Sequence, residues 1–81
     1  EHPYYLKKFV ITGSFNYFPD RNELAELLYN VGADIDTSIS KNIHYVVVGE
    51  NPGWRKMELI EEYGINVLSE DDIINFFQLE K

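Results

Sequence analysis

The sequence predicts an α/β fold, a four-stranded parallel sheet flanked by three helices in the order β-α-β-β-α-β-α. Three observations carry the prediction. The runs Phe9-Val10-Ile11 and Tyr45-Val46-Val47-Val48 are apolar without alternation, as in strands covered on both faces. Helical apolar spacing lies between the strands. Glycines or capping residues mark nearly every boundary.

Lys7-Lys8 lead into the first strand, Phe9–Ile11. Asn16-Tyr17-Phe18-Pro19 reads as a loop. Asp20-Arg21-Asn22-Glu23 then has the form of a capping box, with Asp20 as the N-cap. Leu24, Leu27, Leu28 and Val31 make one apolar stripe, and Gly32 stands where a left-handed cap ends the helix. Ala33–Ile35 is a short second strand. A polar turn through Thr37, Ser38, Ser40, Lys41 and Asn42 follows, and His44–Gly49 is the strongest strand. After the loop Glu50–Gly53, a helix over 54–63 has Met57, Ile60 and Tyr63 on one side, and Gly64 ends it. Ile65–Leu68 is the fourth strand. Ser69 caps the last helix, whose first turn is acidic and whose inner face is read as Ile73, Phe76 and Phe77.

The chain has 81 residues, room for one small core. Its organisation reads as a flexible N-terminal segment at 1–5 and a single domain at 6–81. The abrupt start at Glu1-His2-Pro3 reads as a fragment of a longer protein. There are no cysteines, so thiol catalysis and Cys-based zinc sites are excluded. No apolar run approaches the roughly 18 residues of a membrane helix, and a cytoplasmic setting without membrane contact is expected. The net charge of -7 is unevenly placed: residues 1–56 carry seven acids and six bases, residues 57–81 seven acids and one base. A broad basic surface for long nucleic-acid tracts is absent, so any anion site must be local and in the first two thirds.

One such site is legible. The first strand stops at Thr12-Gly13, and Arg21 follows at the start of the first helix. The Thr supplies a hydroxyl, the Gly lets the backbone come close, and the helix start adds partial positive charge. No Ser/His/Asp arrangement, phosphate-binding glycine loop or H-x-x-x-H motif is present, so no catalysis is expected. Asp34 and Asp36 read as surface acids rather than metal ligands. No cofactor or metal is expected. His44 reads as structural and His2 as disordered.

The chain resembles a BRCT domain over about residues 6–79. The resemblance rests on Thr12-Gly13, the small pair Gly32-Ala33, Val46-Val47-Val48-Gly49 and Gly64-Ile65, all in family order. The segment Gly49–Gly53 is most similar to members in bacterial NAD-dependent DNA ligases and DNA polymerase III epsilon-type exonucleases. Three departures stand out. Ala33 replaces a second glycine, Phe76 or Phe77 stands where the family carries a tryptophan, and Leu59 falls where phosphate-gripping members carry a lysine. Lys56, with Arg55, is the substitute within reach, and Arg21 matches the arginine of members that bind a DNA 5′-phosphate.

The resemblance implies a non-catalytic binding module of a bacterial replication or repair protein, associated with the nucleoid. Two uses are open. In one, Thr12, Gly13, Arg21, Lys56 and Arg55 engage DNA at a 5′-phosphorylated end. In the other, Trp54, Tyr17 and Phe18 dock a protein partner of the same machinery. For Trp54 partial burial on the second helix is expected. For Arg21 an ion pair with Asp20 or Glu50 competes with ligand binding. The acidic last third reads as a solvated face that repels nucleic acid and turns it toward Thr12.

Overall fold

The computed structural model describes residues 2–79. Five-residue β1, Lys8–Thr12, is the spine of the sheet. Its side chains alternate between faces, so Phe9 and Ile11 look one way and Val10 the other. Helix α1, Arg21–Asn30, follows, then β2, Asp34–Ile35, and β3, Tyr45–Val48. Helix α2 is Trp54–Tyr63, β4 is Asn66–Leu68 and α3 is Glu70–Phe76.

All pairings are parallel and the strand order is β2-β1-β3-β4. The register sets Phe9 beside Tyr45, Val10 beside Val46 and Ile11 beside Val47. One core lies between the sheet and helices α1 and α3, where Phe9, Ile11 and Val47 meet Leu24, Leu28 and Ile73. The other lies under α2, where Val10 and Val46 meet Ile60 and Ile43. Burying both sheet faces explains why the strands read as unbroken apolar runs.

The helix ends follow the expected chemistry, with one exchange. Asp20 caps α1 by accepting from the Asn22 N–H at 2.9 Å. The reciprocal box forms instead at α3, where Ser69 accepts from the Asp72 N–H at 3.0 Å and Asp72 from the Ser69 N–H at 2.9 Å. Gly64 ends α2 at φ 64°, in the left-handed region that suits glycine.

Four expectations are corrected. The segment read as flexible at 1–5 is, from residue 2 onward, part of the packed domain. Tyr4 is 7% exposed and stacks on Phe76 at 4.6 Å, and the Leu6 N–H donates to the Gly32 carbonyl at 2.8 Å. His2, read as disordered, stacks on Phe77 with ring centres 5.2 Å apart. Glu1 lies outside the described residues. Phe76 is not inner-face: it is exposed, and Ile74 is buried beside Ile73 instead. On α2 Met57 faces out and Ile60 carries the burial. His44 is structural as expected, since its Nδ1 accepts from the Lys8 N–H at 2.9 Å.

Candidate anion-binding cleft

In a sheet of this order the chain runs from β1 outward to β2 and then crosses back to β3 on the other side of β1, so its direction across the sheet reverses between β1 and β3. Ligands of open α/β sheets gather where that happens, at the carboxyl ends of the strands. Here the gap between β1 and β3 is closed by the chain itself. Ser14 and Glu50 exchange backbone hydrogen bonds, each at 2.8 Å. Gly13 sits against them at φ 90°, where a Cβ would fall 2.8 Å from the Glu50 carbonyl oxygen. The glycine is therefore required by both conformation and space. Thr12 is 4% exposed. Little of the residue expected to meet an anion reaches the surface beside this turn.

The open space lies on the β2 side. A cleft of about 660 Å³ is lined by the end of β1 (Ile11), the end of β2 (Ile35, Asp36, Thr37), the start of α1 and Lys56 from α2. Arg21 stands at its rim, and its Nη1 donates to the Ile11 carbonyl at 3.3 Å. The guanidinium of this exposed residue thus reaches back over the strand end. One of its five N–H donors is used there. Among the described residues it forms no ion pair, so the expected competition from Asp20 or Glu50 does not arise. Lys56 also lines this cleft, and the two cations come from different helices, α1 and α2. Asp20 and Asp36 share the lining and temper the field. Asp20 already spends one oxygen on its helix cap. Thr37, read only as part of a turn, also lines the cleft and adds a hydroxyl. Nothing local in the sequence marked it, because β2 and α2 reach the cleft through the fold.

Arg55 does not join this group. Its Nη1 is paired with Glu58 at 3.0 Å, and the shallow groove around it is otherwise lined by Glu58, Glu61 and Glu62. Residues 54 and 56 point to nearly opposite sides of a helix, at about 100° per residue. Trp54 accordingly lies away from the cleft. It is 74% exposed, which corrects the expected partial burial: it stands at the first position of α2, where no element covers it. Tyr17 is half exposed, but Phe18 is 6% exposed and belongs to the main core, so it offers little to a docking partner. Both line a second groove beside α1.

A family model, the BRCA1 C Terminus (BRCT) domain, matches residues 1–77. The chain belongs to the BRCT family. It is 41% identical over 75 residues to a DNA ligase of Clostridium botulinum strain Hall, and 35% identical over 72 residues to a DNA ligase of Helicobacter acinonychis strain Sheeba. These matches cover 93% and 89% of this chain but only 11% of each ligase. The chain therefore spans about a ninth of the length of these relatives. A solved structure of Rad4 BRCT1,2 in complex with a Mdb1 phosphopeptide has the same fold, with a TM-score of 0.75 at 18% identity, covering 95% of this chain and 43% of that one. The BRCT fold and its similarity to the BRCT of bacterial DNA ligases agree with the motifs at Thr12-Gly13 and Val46–Gly49. Among the described residues no helix is long and apolar enough to cross a membrane.

Proposed function

We propose that this BRCT domain is a non-catalytic DNA-binding module of a bacterial DNA ligase, and that the cleft between Arg21 and Lys56 takes a backbone phosphate, preferably at a 5′-phosphorylated end. The observation that carries the reading is the pair of cations from α1 and α2 in one cleft at the carboxyl edge of the sheet. Thr12 and Gly13 set the turn that delivers Arg21 to this edge. Lys56 stands in for the family lysine that Leu59 replaces. The ligase setting rests on the identity to bacterial DNA ligases, and an exonuclease parent is the lesser alternative.

Charge-assisted hydrogen bonds contribute roughly 1.5–3 kcal/mol each. With two cations and two nearby acids, affinity falls in the range of about 10⁻⁴–10⁻⁶ M seen for nonspecific contacts. Affinity for 5′-phosphorylated duplex then drops about tenfold between about 50 and 200 mM salt, as the release of about two counterions on pairing with Arg21 and Lys56 requires. Salt-independent binding contradicts the reading.

One observation favours a second use, docking of a protein partner. Trp54 is an exposed indole on a face away from the cleft. Exposed tryptophans are frequent anchors of interfaces. A pulldown with the replication and repair machinery separates the two: loss of capture by Trp54→Ala with unchanged DNA affinity assigns Trp54 to the partner, and unchanged capture removes it.

A further inference from the structure

Glu70 makes a contact that the cleft does not use. It is the first residue of α3, yet its carboxylate lies against the loop between β1 and α1. Oε1 accepts from the Asn16 N–H at 3.1 Å, and Oε2 accepts from the Tyr17 and Phe18 N–H groups at 2.8 and 3.0 Å. Consecutive N–H groups converging on one point form a concave receptor for an anion. Bonds of this kind to a carboxylate are the strong ones. The helix does not need Glu70 for its own start, because the Ser69–Asp72 box already caps it.

The loop so held is the one that leads from the Thr12-Gly13 turn to Arg21. Phe18 anchors it from below in the core, and Pro19 and Asp20 carry it into α1. An acid from the strongly negative last third of the chain thus fixes the approach to the cationic cleft.

We propose that Glu70 is a positioning residue: its carboxylate fills an amide receptor made by residues 16–18 and thereby holds Arg21 over the cleft. The second half of this statement rests on the reading of the cleft as a phosphate site. The first half does not.

The experiment uses the 81-residue chain and reads backbone amides and the Arg21 side-chain N–H by NMR. In Glu70→Ala the amide protons of Asn16, Tyr17 and Phe18 move upfield and exchange at least about tenfold faster, the factor that corresponds to roughly 1.4 kcal/mol of lost hydrogen bonding. The Leu24 and Ile73 amides keep their protection, and the Arg21 side-chain signal shifts. Added formate restores the three amide positions, a rescue that a merely packed side chain does not allow. If Glu70→Ala fails to fold, Glu70→Gln serves, since it keeps the size and removes the charge. It moves the same three amides in a folded chain. Amides 16–18 unmoved in a folded variant overturn the receptor. Moved amides with an unchanged Arg21 signal overturn the positioning role. Affinity of the wild-type chain for phosphorylated duplex is measured in parallel. If it is absent the cleft reading fails, while the amides and the Arg21 signal still decide the role of Glu70.

Discussion

At residue scale two cations share the cleft and a third lies outside it. Arg21 and Lys56 line one cleft, while Arg55 is paired with Glu58 on an acidic surface. Arg21→Ala is expected to weaken binding of 5′-phosphorylated duplex by about tenfold or more, the loss of at least one charge-assisted contact. Lys56→Ala lowers the salt slope by about one. Arg55→Ala leaves both unchanged. Fluorescence anisotropy across a salt series reads all three. Side-chain placement was the least legible part of the sequence. Tyr17 and Phe18 are adjacent aromatics in a loop, and nothing local says which turns inward. Phe18 turns into the core, and both of their N–H groups are bound by the Glu70 carboxylate, more than fifty positions away. Trp54 misled for a related reason: an aromatic at a helix start is buried only if another element covers it, and none does.

At the scale of elements, the turn after β1 is the most constrained feature. Gly13 combines a φ of 90° with a Cβ position 2.8 Å from the Glu50 carbonyl oxygen. Gly13→Ala must therefore shift backbone, not merely a flexible side chain. It is expected to destabilise the domain by about 1–3 kcal/mol, read from chemical denaturation. Ser69→Ala removes half of the α3 capping box and costs about 1 kcal/mol. Elements of this kind were plainly legible. The stripe Leu24–Val31, the glycines at 32 and 64 and the cap at Ser69 are local signals, and the structure places each within a residue of its reading. The exchange of capping boxes between Asp20 and Ser69 is a matter of which side-chain rotamer reaches, which the pattern alone does not decide.

At the scale of the whole molecule, both sheet faces are covered and the N-terminal residues complete one of them. Tyr4 sits among Phe9, Tyr45, Phe76 and Phe77. Tyr4→Ala is expected to cost about 3–5 kcal/mol, the range for emptying an aromatic site, a large share of the stability of a domain this small. Burial holds the Tyr4 hydroxyl above its ordinary 10.0, with further upward pushes from Tyr45 and Asp72. Below about pH 10 the phenol is neutral in both states and stability is flat with respect to it. Above that the unfolded chain releases the proton first, so stability falls with rising pH. Tyr4→Phe removes this contribution, and the alkaline limb of its melting curve against pH is shallower. The segment before β1 was misread because it carries no periodic pattern. Its order comes from long-range ring contacts with α3.

The charge layout also belongs to this scale. The described acids of the last third lie at α3 and along α2, and the cleft on the β2 side is where Arg21 and Lys56 come together to meet a phosphate, with Asp20 and Asp36 beside them. The most direct test of that claim is an NMR titration of the 81-residue chain with 5′-phosphorylated and unphosphorylated duplex of one sequence. Larger shifts at Arg21, Thr37 and Lys56 with the phosphorylated duplex, and none at Arg55, are the predicted result. Equal or absent shifts at these three residues in both titrations contradict it.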